Sequence, residues 1–252
     1  MVPAIKLMKG ILAFMTLIMF LEVILRFLGV YSYIFPKPSE ILFAITPQLG
    51  GATIAWAITT SEALVGLSVA IVASSLLAGS TVLMSSRMEK LVNNAGIVIQ
   101  STPLLAVAPL LSLWFGQSFA AKSAAACIAC FFPLLTGWLA GFRSVGLDQL
   151  QLFENLRANK FQRIRYLLIP SALPYFFGGL RVAMPLSLLG AIIGEFIGSS
   201  EGIGFRILSN SYYIRTPLMF AYIVIAAFTG WMLTLAIVAL ERKLLFWHGG
   251  RC

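Results

Sequence analysis

Charge is what this sequence has least of. Of 252 residues, 11% are Asp, Glu, Lys or Arg while 60% are hydrophobic, and mean hydropathy is +0.93. A soluble domain carries roughly a quarter of its residues as charges. Most of this chain's surface must therefore face something other than water. Histidine occurs once, as His248 in the C-terminal tail, and one imidazole builds no metal site. The three cysteines are too few for a disulfide framework. Cys127 and Cys130 form a C-x-x-C inside the apolar run AAACIACFFPLL, with no second pair nearby, and read as small buried residues of a membrane helix. No G-x-x-x-x-G-K-[ST] is present, so the chain offers no Walker-type backbone cradle for nucleotide phosphates. Acidic residues are scarce too, leaving a net charge of +9. Nucleic-acid binders gather such charge on one solvated face. Here it sits in short clusters between apolar runs, which excludes that class and points to membrane topology.

What is present is a series of long hydrophobic stretches. At about 20 residues per crossing, six spans are expected at roughly 11–28, 56–84, 91–114, 119–142, 179–199 and 217–240. The first follows Lys6 and Lys9, as a signal peptide would. It is nevertheless as long as a full span, carries Glu22 and Arg26 near its end, and lacks a small-x-small cleavage site, so it reads as a retained helix. FPKPSE (Phe35–Glu40) predicts an extended turn, because each proline disfavours helix in the residue before it. Gly50 and Gly51 are expected to end a helix, with the next beginning near Thr53. With the N-terminus inside, thirteen of the eighteen basic residues fall on inside segments: Lys6, Lys9, Arg87, Lys90, Arg143, Arg157, Lys160, Arg163, Arg165, Arg181, Arg242, Lys243 and Arg251. Only Arg26, Lys37, Lys122, Arg206 and Arg215 fall outside. By the positive-inside rule both termini are then cytoplasmic.

The longest inside segment runs from about Arg143 to Gly178. Between Leu147 and Ile164, Leu147, Leu150, Phe153 and Leu156 recur every three positions beside a charged row of Glu154, Arg157, Lys160 and Arg163, an amphipathic helical pattern. Pro170 and Pro174 are expected to stop that helix. On pattern alone such a helix either lies on the lipid surface or docks a partner. Within the spans, Glu195 reads as the one acid well inside a span besides those near the ends. A carboxylate there is costly, so it either serves a pathway or is tied to a neighbouring helix or to the turn Ser199–Gly204. Pro103 and Pro109 are placed to break the third span, and with Gln100, Ser101 and Thr102 they make its most polar stretch, a candidate pathway lining.

RANKFQRIRYLLIPSALPYFFGGLR (Arg157–Arg181) resembles the cytoplasmic EAA loop of ABC-importer permeases, in particular the nitrate/sulfonate/taurine branch. STPLLAVAPLLSLWFG (Ser101–Gly116), FFPLLTGWLAGFRSV (Phe131–Val145) and GAIIGEFIGSSEGIGFRI (Gly190–Ile207) are similar to further segments of that branch, in the same order, and FPKP fits its turn after the first span. There are departures. The loop's signature glycine falls on Arg157 and its leading glutamate on Gln151, and Glu62 stands where relatives tend to carry arginine. An arginine at the glycine position predicts a less kinked loop.

The resemblance implies an all-α polytopic membrane protein: one permease domain over 1–252, with a core over 50–245, six transmembrane helices and a coupling loop over 144–178. It implies a bacterial inner-membrane location, pairing with a second copy of the chain, two ATPase subunits that carry ATP and Mg, and an extracytoplasmic solute-binding protein. The chain itself would hold no cofactor or metal. Leu150, Phe153, Leu156 and Phe161 would seat in the ATPase, beside Glu154, Arg157, Ala158, Lys160 and Pro170. Gln100, Ser101, Thr102, Pro103 and Glu195 are the pathway candidates. The implied solute is a small anion such as a sulfonate, taurine, nitrate or bicarbonate, with a thiamine-pyrimidine precursor or riboflavin as the alternative. A self-contained channel or secondary transporter would show inverted repeats or several embedded charges, and none is evident. A membrane enzyme would cluster His, Asp, Glu or Ser at one interface.

Overall fold

The computed structural model describes residues 2–83, 92, 94, 96, 98 and 101–246, the side chains of residues 2–11 and 14 aside. Gln100, His248, Cys252 and the basic residues Arg87, Lys90 and Arg251 lie outside the described residues. Every described element is a helix: α1 (Val2–Phe27), α2 (Pro38–Ile45), α3 (Leu49–Leu83), α4 (Leu104–Phe115), α5 (Phe119–Arg143), α6 (Leu147–Asn155), α7 (Lys160–Arg163), α8 (Ile169–Phe196), α9 (Ile203–Tyr212) and α10 (Thr216–Leu244). Four helical stretches are long and apolar enough to cross a membrane: Pro38–Thr81, Phe119–Arg143, Lys160–Phe196 and Thr216–Leu244. α1 lies where the first span is expected, and α4 covers the second half of the third. The described residues thus yield four qualifying spans where the sequence predicts six.

Several boundaries differ from expectation, for local reasons. Lys37 is extended, but Pro38 opens α2, where its missing N–H is one the helix leaves unbonded anyway. α2 passes through a tight turn (Thr46–Gln48) straight into α3, so Gly50 and Gly51 sit inside a helix and not at a break. At 35 residues α3 is about 50 Å long, well beyond a bilayer core. Pro109 lies within α4 without ending it, whereas the chain does leave the helix at Thr102 and Pro103. Pro170 and Pro174 do not stop a helix either. A π turn at Ile164–Leu168 shifts the hydrogen bonding by one residue, with the Ile169 N–H donating to the Ile164 carbonyl, and α7 runs through it into α8. Such a turn relieves the clash that the Pro170 ring would make with the carbonyl four residues back.

The core is α5 packed lengthwise on α8, with α3 against both. Backbone contact there depends on small residues: Gly141 meets Ala172, Gly179 meets the Pro133 carbonyl, and Gly190 meets Ala125 and Ala126. In lipid, where apolar burial drives little helix association, such close approach is what holds helices together. Trp138 stacks on Phe176 at 4.6 Å between ring centres and closes this core toward one end. α10 covers α8 and α9 on one side and leaves Val224, Phe228 and Trp231 outward, as a lipid-facing helix does. α1 joins through α2, where the Glu22 carboxylate accepts from the Ser39 N–H at 3.0 Å and its hydroxyl at 2.7 Å. Cys130 is buried and Cys127 half-buried on α5, in keeping with packing residues. The loop between α5 and α8 lies at one end of this bundle, and the α8–α9 and α9–α10 turns lie at the other.

Candidate functional site

The loop end is built from backbone caps. α6 begins after Gly146 with Asp148 in its first turn and ends in a Schellman motif: the Ala158 N–H donates to the Phe153 carbonyl at 3.0 Å and the Arg157 N–H to the Glu154 carbonyl at 2.9 Å. That geometry puts Arg157 at φ +51°, the left-handed region where glycine is the usual residue. The expectation of a less kinked loop is therefore overturned, and the chain turns as sharply with arginine as it would with glycine. Two residues later a capping box starts α7, in which the Asn159 side chain accepts the Gln162 N–H and the Asn159 N–H donates to the Gln162 side chain, both at 2.8 Å. The single helix expected over 147–164 is thus two helices at an angle. Glu154 and Arg163 bridge them at 3.6 Å.

Of the sequence-predicted coupling residues, Leu150, Phe153 and Ala158 are half-buried. Glu154, Leu156, Arg157, Lys160 and Phe161 are exposed, and Pro170 is half-buried in the first turn of α8. The predicted apolar row is divided. Leu156 and Phe161 stand 68% and 66% exposed at the corner, with Leu152 and Tyr166 also outward. Large apolar side chains exposed on a charged loop make an unfilled surface.

At the far end the structure assembles a polar cluster inside the helices. Glu195 of α8 is 1% exposed. Its carboxylate accepts from the Thr59 hydroxyl of α3 at 2.5 Å and from the Gly204 N–H of α9, while the Thr59 hydroxyl oxygen accepts the Ile203 N–H at 2.7 Å. Gly202 and Gly204 are required here, since a Cβ at either would run into the Glu195 carboxyl, and Gly202 also has φ +99°. Glu195 thus closes the Ser199–Gly204 turn onto two helices. Glu62 of α3, also 1% exposed, pairs with the buried Lys122 of α5 at 3.5 Å and faces the Glu195 carboxyl. Glu195 is therefore not alone as a deep acid. The sequence offered each charge as an oddity in a largely apolar helix, but not their pairing. Ser101, Thr102 and Pro103 lie on exposed surface at the break before α4, with the Thr102 hydroxyl donating to the Val98 carbonyl at 3.0 Å. They occupy open surface, whereas Glu195 is enclosed.

Residues 70–245 match the family described as binding-protein-dependent transport system inner membrane component. A formylaminopyrimidine transport permease protein of Halalkalibacterium halodurans is 31% identical over 238 residues, 94% of each chain. An aliphatic sulfonates transport permease protein of Bacillus subtilis is 34% identical over 65% of this chain and 59% of its own. A riboflavin transport system permease protein of Chloroflexus aurantiacus is 36% identical over 59% of this chain and 56% of its own. In fold, the chain resembles the crystal structure of an amino acid ABC transporter with histidines, with a TM-score of 0.61 at 20% identity over 80% of this chain and 96% of that one. The helical bundle, its kinked loop and the family match agree: this chain belongs to the binding-protein-dependent transport inner membrane components, the membrane-spanning permeases of ABC importers.

Proposed function

We propose that two copies of this chain pair to form the translocation pathway of an importer in the bacterial inner membrane, each crossing six times with both termini cytoplasmic. Separate ATPase subunits, carrying ATP and Mg, engage the loop end, and an extracytoplasmic binding protein delivers solute to the far end. The observation that carries this reading is the corner at Leu156–Phe161, an exposed apolar point braced by a Schellman motif and a capping box. Rigid bracing suits a part that transmits force, and ATPase closure would rock the bundles between inward- and outward-open states. Leu156 and Phe161 seat in the ATPase, with Glu154, Arg157 and Lys160 at the rim.

The solute is a small anion, in keeping with relatives named for sulfonates, taurine, nitrate and bicarbonate. A pyrimidine precursor is the second reading, favoured by the relative matched over 94% of both chains. The test is a mild-detergent pull-down of the tagged chain, wild type against Lys160→Glu/Arg163→Glu. The wild type should bring down a Walker-motif ATPase, and the charge-reversed chain should insert normally but lose it. A wild-type chain that comes down alone as a stable oligomer would point to a channel or carrier. ATPase retained by the double variant would instead make the loop a lipid-surface helix.

A further inference from the structure

Among the described residues, the far end holds one part-buried cation with no counter-ion. Of the five basic residues there, Arg26 pairs with Glu22 at 2.7 Å, Lys37 with Glu40 at 2.8 Å and Lys122 with Glu62 at 3.5 Å, while Arg215 lies over the Tyr213 ring at 5.7 Å. Arg206 differs. Among the described residues no carboxylate lies within ion-pair distance of it, and its Nε is buried with no hydrogen-bond partner. The guanidinium folds against Gly51, where a Cβ would stand 3.8 Å from Nη2. It borders a cavity of about 180 Å³ between α3 and the start of α9, lined also by Gly51, Ile54, Ile58, Glu201 and Gly202.

A buried donor without an acceptor is costly and calls for an explanation. A second one is close by: the Tyr222 hydroxyl is also buried without a partner, within electrostatic reach of Arg206. Arg206 is the fourth residue of α9, so its charge adds to the positive end of that helix, where an anion and not a cation is favoured. The helix end alone does not make the site, because the Ile203 and Gly204 N–H groups are already taken by Thr59 and Glu195. The cavity has about six times the volume share of one liquid water, enough for a nitrate, carboxylate or sulfonate group but not for a flavin.

We propose that Arg206 is an oxyanion-binding point at the outer mouth of the pathway, taking the charged group of the solute as it leaves its binding protein. This rests on the small-anion importer reading above. The Glu201 carboxylate borders the same cavity and opposes the ligand's charge, which keeps the site weak, as a passing site must be.

The test uses the full chain with its ATPase in lipid nanodiscs, thermal unfolding as the readout, and methanesulfonate against the uncharged dimethyl sulfone at constant ionic strength. Methanesulfonate should raise the unfolding midpoint of the wild type, and dimethyl sulfone should not. Arg206→Gln should weaken the apparent affinity by about tenfold or more, the scale of a lost charge-assisted hydrogen bond. Arg206→Lys should fall between the two, Glu201→Gln should bind more tightly, and Arg215→Gln should match the wild type. A wild type that does not respond, or an Arg206→Gln chain that responds like it, overturns the proposal. Copurified ATPase reports separately on the importer reading, so loss of the anion response with the ATPase retained counts against Arg206 alone. It also shows that each variant has folded.

Discussion

The two ends of the bundle are fixed by different means. At the loop end, a Schellman motif, a capping box and one bridging ion pair hold a corner made of residues close in sequence. At the far end, Glu195, Thr59 and the Gly202–Gly204 turn are joined by hydrogen bonds spanning up to 144 residues, beside the buried Glu62–Lys122 pair. The first arrangement leaves its side chains outward and available to a partner. The second uses its side chains on the fold itself. The loop end should therefore tolerate substitution with little loss of stability, and the far end should not.

The largest effect is expected at Glu195. Glu195→Ala leaves the Gly204 N–H without its acceptor and the Thr59 hydroxyl with only the Ala55 carbonyl, a loss of about 3 kcal/mol. Thermal unfolding of the purified complex would read this as a lower midpoint, and Glu195→Gln should fall between. An unchanged midpoint would break the contrast between the two ends. Next comes the helix seam midway between them. Gly179→Ala drives a methyl into the Pro133 carbonyl, with the Gly137 Cα only 3.5 Å from it, so α5 and α8 must separate. Overpacking of this kind costs about 1–3 kcal/mol, visible as a smaller fall in the same midpoint. Gly178, one residue earlier with nothing within 4 Å of its Cβ position, supplies the control, and Gly178→Ala should not lower the midpoint and should raise it slightly, since alanine loses less backbone freedom than glycine in a helix.

How much of this the sequence disclosed follows the same division. The loop was legible as a place, because its apolar and charged rows repeat locally and its motif resembles a known one. Its shape was not, because left-handed backbone at Arg157 is set by Schellman hydrogen bonds that propensity weighs against. Spans could be read from hydropathy, but their ends moved: Pro38 starts a helix, Gly50 and Gly51 lie inside one, and the π turn carries the chain past Pro170. Glu195 stood out as a lone acid, and one of its two readings was a carboxylate tied to a neighbouring helix or to the Ser199–Gly204 turn; its hydrogen bonds reach both. Lys122 was counted as an outside charge near a span end, and its pairing with Glu62, 60 residues away, is a tertiary fact that no local pattern encodes.

The smallest effect, and the one that separates shape from side chain, belongs to Arg157. A non-glycine residue in the left-handed region carries a strain of about 1 kcal/mol. Nothing in the fold offsets it through the side chain, which is exposed. Arg157→Gly should therefore stabilise the chain slightly, by at most about 1 kcal/mol, because glycine's greater freedom in the unfolded state offsets part of the relief. If the arginine is there for the ATPase and not for the corner, the same substitution should weaken ATPase retention in the pull-down while the unfolding midpoint rises. A midpoint that falls would mean that the Arg157 side chain braces the loop, and the loop end would then owe its shape to side chains as the far end does.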